Sequence, residues 1–476
     1  MVSGQKMKRG CSVTRLTMVG VLLLISILIT VQIKLSSSSS SADLSQRWSM
    51  PYYSATSTNQ PPSPESELVP LKFKRTPLTS TGISCDRTSN RYDLCKISGP
   101  TVVDPTTSTF FVMGPSGSIR PKIVEKIKPY PRKFEDFIMA KIKNVTLISG
   151  PQSPPCKIHH DVPALVFSVG GYTGNFFHDF TDGFIPFFIT VNTIFPDHQD
   201  FIIVLSEGPD WWPTKYADLL NMFTKHPIIS LENESKTHCF PFAHVGLISH
   251  GFMTINRTLL PNLKTYLHFS KTLHEAYAGS HHQNLGMSSK NLISRPRLLF
   301  ASRKGATGRV ILNQRKTIRV MKDLGFDVVV FEPTKNTSLH ESYALVNSCH
   351  AMIGVHGAAL THSLFLRPGS VLMQIVPIGA EWAAKAFFGN TAKGLKLEYM
   401  EYKIKVKESS LVRKYGKDSM ILRNPSALQK NGWPIELMDI YLKEQNVKLD
   451  LDRFRDFLEE AYKKVYKFMH QDKKGL

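Results

Sequence analysis

The feature that most constrains the fold is a regular alternation of strand-like and helix-like segments between residues 297 and 375. Short apolar runs rich in β-branched residues alternate with longer segments whose apolar residues recur at helical spacing. The predicted strands are 297–301, 326–331, 351–355 and 370–375, and the predicted helices are 311–324, a segment after Ser338, and 357–366. This alternation predicts βαβ units and a parallel sheet covered on both faces, so the fold class is α/β.

The preceding part of the chain shows the same alternation less regularly. Residues 164–169, 201–205 and 243–248 are apolar enough to form buried parallel strands. Residues 274–290 lose the apolar pattern and gain His, Ser and Gly, so we interpret them as the connection between two α/β halves. A chain of 476 residues can hold two domains, which we predict at 83–285 and 286–445. An amphipathic helix is expected within the C-terminal residues 446–476.

The N-terminal residues indicate a membrane anchor and a stem. Residues 16–33 carry no charge, and a helix of that length rises about 27 Å, close to the thickness of a thin membrane. Residues 1–15 contain basic side chains and no acid, which predicts a cytosolic tail and a luminal main part. We therefore expect a transmembrane signal anchor at 16–35 and a flexible Ser/Pro-rich stem at 36–82. A cleaved signal peptide is the alternative.

Sequons and cysteines agree with a luminal location. Four N-glycosylation acceptor sites fall on the predicted luminal side: Asn144, Asn233, Asn256 and Asn336. Five of the six cysteines are also on that side, and Cys85 and Cys95 are close enough in sequence to close a small loop. The odd number leaves at least one thiol unpaired or bonded to another chain. The spacing of Cys and His does not indicate zinc, and no metal is expected.

Charge and motifs exclude several classes of function. The chain has 59 Lys and Arg against 38 Asp and Glu, a net charge of +21, which favours an anionic partner. Nucleic acid is not the expected partner, because the basic residues are dispersed along a luminal chain. P-loop, dinucleotide-binding, nucleophile-elbow and zinc-protease motifs are absent from the sequence. Asp450-Leu451-Asp452 spells a D-x-D pattern that can hold a metal ion, but its place at a helix start favours capping.

Candidate anion-binding residues follow one predicted strand of the second half. His356 and Gly357 connect the strand at 351–355 to a helix that begins near Ala358. Ligands bind beyond the carboxyl ends of parallel strands, and a helix N-terminus there offers free N–H groups to a phosphate. Gly357 would let the backbone approach the ligand closely. The alternative is that Gly357 only permits tight packing and His356 lies at the surface.

A basic loop follows a second strand of the same predicted sheet. Arg303 and Lys304 come directly after residues 297–301, and Arg309 and Asn313 follow along the loop. Arginine makes forked contacts to phosphate oxygens. Such a run by itself is more often a solvated loop, but together with the loop at His356 it predicts a diphosphate site in one crevice.

The third candidate site lies in the first half, after the strand at 164–169. Residues 170–183 open a Phe-rich helix and contain His178, Asp179 and Asp182. A His beside an Asp at the mouth of a cleft can accept a proton from a hydroxyl group. Alternatively, His178 and Asp182 make a local helical pair and the phenylalanines fill the core. We favour a catalytic role, because charged groups among aromatic side chains need a reason to be there.

Several of these segments resemble the plant family-61 glycosyltransferases. The resemblance rests on residues 169–190, 302–313 and 354–377. It extends to the region of Cys85 and Cys95, to Lys128-Pro-Tyr-Pro-Arg132 and to residues 446–454, so it covers roughly 83–470. It implies a GT-B fold, in which two Rossmann-like domains face a cleft, and an inverting mechanism. It further implies a type II Golgi membrane protein, a UDP-pentose donor, a polysaccharide or glycan acceptor, and no required metal or other cofactor.

The resemblance also assigns roles by position. Arg303, Lys304, His356 and Gly357 would face the donor diphosphate, and His178 or Asp179 would lie near the acceptor as the general base. One departure is Gln314-Arg315-Lys316, where members of the family often have acidic residues. That difference affects the expected donor contacts more than the expected fold.

The function implied by the resemblance is transfer of xylose or arabinose from a UDP-sugar to a cell-wall polysaccharide such as xylan. One alternative is a β-1,2-xylosyltransferase that acts on N-glycans. Another is a non-catalytic glycan-binding or scaffold member of a Golgi synthase complex, as part of a homo- or hetero-oligomer. A metal-dependent GT-A enzyme is the third alternative.

Overall fold

Three β-sheets form the framework of the residues that the structure describes. The computed structural model describes residues 82–113, 123–150, 152–197, 200–279, 295–430 and 432–472. In chain order the strands are β1 (Gly82–Asp86), β2 (Leu94–Ser98), β3 (Thr101–Asp104), β4 (Thr109–Met113), β5 (Ile123–Ile127), β6 (Val145–Gly150), β7 (Ile158–His159), β8 (Ala164–Phe167), β9 (Ile202–Leu205), β10 (Ile229–Ser230), β11 (His238–Phe240), β12 (Ala243–Val245), β13 (Arg297–Ala301), β14 (Asp327–Phe331), β15 (Ala351–Val355), β16 (Val371–Val376) and β17 (Glu398–Lys403).

Short helices connect these strands. The α-helices are α1 (Asp136–Met139), α2 (Phe176–His178), α3 (Ile185–Ile194), α4 (Trp211–Lys215), α5 (Ala217–Asn221), α6 (Tyr266–Tyr277), α7 (Gln314–Asp323), α8 (Leu339–Asn347), α9 (Glu381–Ala383), α10 (Asn390–Gly394), α11 (Leu411–Tyr415), α12 (Met420–Arg423), α13 (Pro425–Leu428), α14 (Ile435–Asp439) and α15 (Leu451–Asp472). Segments of 3-10 helix are Pro105–Thr107, Arg257–Leu259, Ala358–Phe365 and Val406–Glu408, and π-helical segments are Asp179–Phe184, Ala384–Gly389 and Ile440–Glu444.

The predicted tail, anchor and stem lie outside the described residues, except that Gly82, the last residue of the predicted stem, begins β1. Among the helices of residues 82–472 that the structure describes, none is long and apolar enough to cross a membrane. The membrane anchor therefore stays a prediction.

The parallel sheet predicted in the second half is confirmed. Its strand order is β14-β13-β15-β16-β17, and every neighbouring pair is parallel. The chain passes from β13 to β14 on one side and then returns to place β15 on the other side of β13. Connections leave β13 and β15 in opposite directions, which opens a crevice beyond their carboxyl ends. The loops that carry Arg303 and His356 both start there.

Side chains of this sheet alternate between two cores. Leu298 and Phe300 of β13 belong to a cluster with α7 and the C-terminal α15, whereas Leu299 and Ala301 belong to a cluster that includes α8. The amphipathic C-terminal helix was expected to dock on the protein, and it does so through Phe454, Leu458, Ala461 and Val465, all fully buried.

The first half differs from the doubly wound arrangement that the sequence predicted. The strands expected at 164–169, 201–205 and 243–248 are β8, β9 and β12, which pair in parallel within a sheet ordered β1-β2-β12-β8-β9-β10. One face of this sheet packs on helices. The other face packs on a second sheet, ordered β5-β6-β4-β3-β11-β7, instead of on helices. The strands of residues 82–150 are short and provide a half-buried layer that no helical pattern could indicate.

The two halves share one hydrophobic core. The helical face of the first sheet, with Leu165 and Phe167, joins Phe269 of α6 and Leu299 of β13 in a single cluster. Helix α6 extends to Tyr277, so the connection predicted at 274–290 began too early in the chain. The predicted domain boundary at residue 285 lies outside the described residues.

Two disulfides lie in the first half. Cys85 and Cys95 are bonded between β1 and β2, which confirms the predicted small loop, and Cys156 is bonded to Cys239. Cys349 is the free cysteine of the described chain, and it is buried, so it is not available to bond another chain.

The predicted glycosylation sites differ in accessibility. Asn144, Asn233 and Asn336 are exposed. Asn256 is half-buried, and its side-chain oxygen accepts a hydrogen bond from the Thr258 amide at 3.1 Å, which caps a short 3-10 helix.

Candidate functional site

A π-helical segment presents the histidine of the first half. Residues Phe176–His178 are α-helical, Asp179–Phe184 form a π-helix, and Ile185 continues as α3. The Asn175 side chain caps this helix by accepting a hydrogen bond from the Phe177 amide at 3.1 Å. Single π turns inside α-helices are frequent at functional sites. His178 Nδ1 here lies 2.8 Å from Asp182 Oδ2.

Asp182 holds His178 in one orientation. The carboxylate is buried and accepts hydrogen bonds from Arg132 Nε at 2.8 Å and from Tyr130 Oη at 3.1 Å. Burial by itself would raise the pKa of Asp182, but the charges of Arg132 and His178 and their hydrogen bonds bring that pKa below its ordinary value. The ionised carboxylate accepts the Nδ1–H of His178, which leaves the lone pair on Nε2.

Arg132 also lies close to the same ring nitrogen. Its Nη2 is 3.1 Å from His178 Nδ1, but a guanidinium can only donate, as can a protonated Nδ1. The carboxylate of Asp182 is the nearer and charged acceptor, so it takes the Nδ1 proton. His178 therefore has the arrangement of a general base, with Nε2 as the accepting atom and a side chain that is 17% exposed.

Asp179 lies in a different environment. Its Oδ1 accepts a hydrogen bond from the Gly174 amide at 3.0 Å and its Oδ2 accepts one from Tyr216 Oη at 2.7 Å. The residue is only 2% exposed, and burial raises the pKa of its carboxyl group. Asp179 thus fixes the loop before the helix. Of the two residues considered for the base, the geometry favours His178.

Tyr130 and Arg132 were not recognised from the sequence as parts of this site. Both belong to Lys128-Pro-Tyr-Pro-Arg132, which lies about 50 positions before Asp182 in the chain. The arginine is 4% exposed and also pairs with Glu135. An arginine between a proline and a Phe-containing segment is a weak signal, because only the fold shows what it contacts.

In the second half, the structure brings four of the predicted residues together. Arg309 Nη1 donates to the carbonyl oxygen of His356 at 2.8 Å, and Arg303 Nε donates to that of Gly308 at 3.1 Å. Gly357 has φ +154°, and a Cβ added to it would lie 2.5 Å from Arg303 Nη1 and 3.2 Å from Arg309 Nη1. The absence of a side chain at Gly357 is therefore what lets the two guanidinium groups approach this backbone turn.

These two guanidinium groups lack an anionic partner in the part of the chain that the structure describes. Burial lowers the pKa of Arg303, and burial together with the charge of Arg303 lowers the pKa of Arg309. Arg309 Nε donates a hydrogen bond to the Leu442 carbonyl oxygen at 2.9 Å. Like the bond to the His356 carbonyl, it goes to a backbone oxygen. Two like charges in a half-buried loop stabilise a bound anion and are stabilised by it.

His356 is buried beside them and is neutral. Burial, followed by the charges of Arg309 and Arg303, holds the pKa of His356 well below its ordinary value. Gln374 Nε2 donates to His356 Nδ1 at 2.9 Å, and Tyr399 Oη donates to Gln374 Oε1 at 3.2 Å. The ring proton of His356 therefore resides on Nε2 as a hydrogen-bond donor. Gln374, a polar residue inside the apolar strand β16, was missed, although a buried amide in such a strand is a usable signal.

The other residues predicted to bind the donor diphosphate are Lys304, Ala358 and Asn313. Lys304 is exposed on the loop after β13, and Ala358 begins a 3-10 helix where an α-helix was predicted. Asn313 donates to the Leu449 carbonyl at 2.9 Å and accepts from the Leu449 amide at 3.0 Å. Its side chain thus ties the C-terminal segment to the loop.

Phe387 joins the two groups of residues. Its ring centroid lies 4.8 Å from that of Phe177, the neighbour of His178, and 6.0 Å from the ring of His356. It also contacts Phe252 at 5.2 Å, in the loop that follows β12. Segments that follow parallel strands of both halves therefore meet around Phe387.

The D-x-D pattern caps the C-terminal helix, as predicted. Asp450 Oδ1 accepts from the Arg453 amide at 3.4 Å, and its other oxygen pairs with Lys407 at 2.5 Å. Within the described residues, the side chains that could together hold a metal ion are Cys156, His159 and Cys239, but the two sulfurs form a disulfide. An open groove lined by Lys157 and Lys236 lies next to β7 and β11 and holds none of the predicted site residues.

Comparison with known proteins identifies the family. The sequence profile of the family Glycosyltransferase 61 matches residues 174–373, which contain His178, Arg303 and Gly357. The xylan glycosyltransferase MUCI21 of Arabidopsis thaliana is 37% identical over 410 residues, which cover 83% of this chain and 82% of the relative.

Two further relatives come from Oryza sativa subsp. japonica. The alpha-1,3-arabinosyltransferase XAT3 is 38% identical over 383 residues, covering 79% of this chain and 64% of the relative. The beta-1,2-xylosyltransferase XYXT1 is 32% identical over 396 residues, covering 80% of this chain and 83% of the relative. The chain therefore belongs to glycosyltransferase family 61 and is a glycosyltransferase.

Proposed function

We propose that this enzyme transfers a pentose, xylose or arabinose, from a UDP-sugar to xylan with inversion at the anomeric carbon. The curated relatives carry the names xylan glycosyltransferase, arabinosyltransferase and xylosyltransferase, which supports the acceptor and the class of sugar. We further propose that the parallel sheet of the second half and the mixed sheet that contains β8, β9 and β12 are the cores of a GT-B arrangement, with the acceptor side at 83–285 and the donor side at 286–445.

The observation that carries the proposal is the pair of half-buried guanidinium groups at Gly357. Arg303 and Arg309 converge on a backbone turn beyond the carboxyl ends of β13 and β15, where the strand order opens a crevice. They lack a carboxylate partner in the described chain. A diphosphate would neutralise the positive charges of these two guanidinium groups. Guanidinium groups also match phosphate oxygens in geometry.

The proposed reaction is a single displacement. An acceptor hydroxyl gives its proton to His178 Nε2 while its oxygen attacks the anomeric carbon, and the bond from that carbon to the diphosphate breaks. The electron pair of the broken bond leaves on UDP. Asp182 stabilises the imidazolium that forms, since its buried carboxylate accepts the Nδ1–H at 2.8 Å.

The negative charge that develops on the diphosphate is stabilised by Arg303, Arg309 and the Nε2–H of His356. Electrostatic stabilisation of this kind requires groups that are already in position. Arg309 is held by two backbone carbonyls and His356 by Gln374. This stabilisation takes the place of a metal ion in the proposal, and exposed Lys304 adds charge at the rim.

We also propose that the enzyme is a single-pass type II protein of the Golgi membrane with a luminal catalytic part. The uncharged residues 16–33 with a basic flank support the anchor. Two disulfides and the exposed sequons at Asn144, Asn233 and Asn336 support a luminal environment.

A donor screen tests the function. The full-length chain in microsomes is incubated with UDP-xylose or UDP-arabinose and xylohexaose, and products are identified by mass spectrometry and by the anomeric configuration of the new linkage. We expect one added pentose. Failure of every UDP-pentose with this acceptor would contradict the proposal.

Variants test the assigned roles. Arg303→Ala should lower kcat/KM for the donor about 10- to 150-fold, because one or two charge-assisted hydrogen bonds to the leaving group are lost. Arg413→Ala, which removes an exposed cation from α11, is the matched control and should leave kcat/KM unchanged. Equal activities of the two variants would refute the assignment of Arg303.

A further inference from the structure

One arginine near the candidate base remains without a hydrogen-bonding partner. The guanidinium of Arg91 makes no hydrogen bond or ion pair with any residue in the described part of the chain. Its Cζ lies 5.4 Å from the ring centroid of Phe134 and 5.1 Å from that of Phe252. Burial, and then the charge of Arg132, lower the pKa of Arg91. The two rings, which stand at 89° to each other, contact the guanidinium without accepting its N–H groups in a hydrogen bond, so those groups remain for another partner.

Arg132 provides an internal comparison. It contacts the same Phe252 ring at 4.9 Å, but its nitrogens bind Asp182 and Glu135. The carboxylates of Asp182 and Glu135 therefore hydrogen-bond to Arg132, whereas Asp182 acts on Arg91 only through its charge. The N–H groups of Arg91 are therefore free to donate to a ligand in the solvent that they reach.

An aromatic surface continues from Phe252 into the second half. The ring of Trp382 lies 6.0 Å from that of Phe252, 5.7 Å from that of Phe387 and 6.2 Å from that of Trp433. Trp382 and Trp433 are both half-buried, and their indole N–H groups make no hydrogen bond to the residues that the structure describes. An indole with a free N–H combines an apolar face with a polar edge.

The position of these residues defines what they can bind. Phe252 lies between Arg132, which flanks His178, and Phe387, which flanks His356. A ligand on Trp382 and Arg91 would therefore lie beside the line from the candidate base to the diphosphate site. A pyranose ring fits both groups, because its C–H faces pack on an indole and its hydroxyl oxygens accept hydrogen bonds from a guanidinium.

We infer that Trp382 and Arg91 form an acceptor subsite, in which Trp382 supports one xylosyl ring of the acceptor and Arg91 holds its hydroxyl oxygens. This inference rests on the proposed function for the identity of the acceptor. It assigns no chemical step to either residue: both are positioning residues. Arg91 also lies close to the backbone at Gly251, where an added Cβ would lie 4.0 Å from Arg91 Cζ.

Direct binding tests this inference separately from catalysis. The full-length protein in detergent, saturated with UDP, is titrated with xylohexaose by calorimetry. Trp382→Ala and Arg91→Ala should each weaken xylohexaose binding about tenfold, whereas the affinity for UDP should change less than about twofold. Tyr466→Ala and Arg413→Ala remove an exposed aromatic and an exposed cation elsewhere and should leave both affinities unchanged.

Conservative variants distinguish loss of a ligand contact from loss of the fold. Trp382→Phe keeps a stacking surface and should recover most of the xylohexaose affinity, and Arg91→Lys should recover only part of it because the forked donor is lost. Wild-type affinity for xylohexaose in both alanine variants would overturn the subsite, as would an equal loss of UDP affinity. If the wild-type protein binds xylohexaose through these residues but transfers no pentose, the proposed function fails and the subsite stands.

Discussion

Substitution of Gly357 by alanine tests whether the donor diphosphate is bound by two arginines at this turn. The new Cβ would lie 2.5 Å from Arg303 Nη1, so the guanidinium must move. A displaced guanidinium loses about 1.5–3 kcal/mol of charge-assisted hydrogen bonding to the leaving group. We therefore expect kcat/KM for the UDP-sugar to fall about 10- to 150-fold.

The same substitution also strains the backbone. Gly357 has φ +154° and ψ 176°, a region that residues with a Cβ avoid at a cost of about 1–3 kcal/mol. Gly416→Ala is the matched control, since Gly416 has φ +75° and a Cβ there would meet nothing within 4 Å. It should lower stability by about 1–2 kcal/mol in thermal unfolding without changing kcat/KM.

A double-mutant cycle separates the steric effect from the strain. If the alanine at position 357 acts by moving Arg303, then combining Gly357→Ala with Arg303→Ala should cost little more activity than Arg303→Ala by itself. Donor kinetics of the wild type, the two single variants and the double variant measure the steric effect, and their unfolding temperatures measure the backbone strain. Fully additive losses, or a Gly357→Ala enzyme with normal donor kinetics, would refute the assignment of this turn to the diphosphate.

Two further variants test the hydrogen bonds behind the reacting groups. Asp182→Asn should lower kcat at least about 100-fold with little change in KM, because His178 loses its orienting carboxylate. Since the folded-state pKa of Asp182 is depressed, its stabilisation is complete above the ordinary value of 3.8 and is lost as pH falls below that value. Denaturant unfolding of Asp182→Asn should therefore depend less on pH below about 4 than that of the wild type, and parallel curves would contradict this. Gln374→Leu should lower donor kcat/KM about tenfold, because His356 loses the donor that fixes its tautomer, whereas Met373→Leu should not; equal kinetics would refute the role of Gln374.

Local patterns in the sequence were sufficient to predict the second half of the fold. The strands from β13 to β16 are short and mostly apolar, with Gln374 as the polar residue inside β16, so their positions are evident without knowledge of their neighbours. Once these strands are parallel, the loops of Arg303 and His356 must lie at the same edge. The convergence of the two loops was therefore predictable, but the contact of two arginines at Gly357 was not.

The second sheet of the first half was not predictable in the same way. Several pairings in this sheet join strands that are distant in sequence: β11, for example, joins both β3 and β7. Short strands of this kind carry little periodicity, and their pairing depends on the tertiary packing of two faces. For that reason the sequence indicated helices where a sheet covers the other face.

The sequence by itself determined the α/β alternation, the small disulfide loop, the capping role of Asp450 and the strand ends at which polar side chains collect. All of these depend on residues near one another in the chain, where hydrophobic period and backbone preferences act directly. The tertiary structure favours His178 over Asp179 as the candidate base and shows which cations of the described residues lack an acidic partner. Those properties come from residues such as Arg132 and His356, which lie 50 and 47 positions from Asp182 and Arg309 respectively and meet them only in the folded protein.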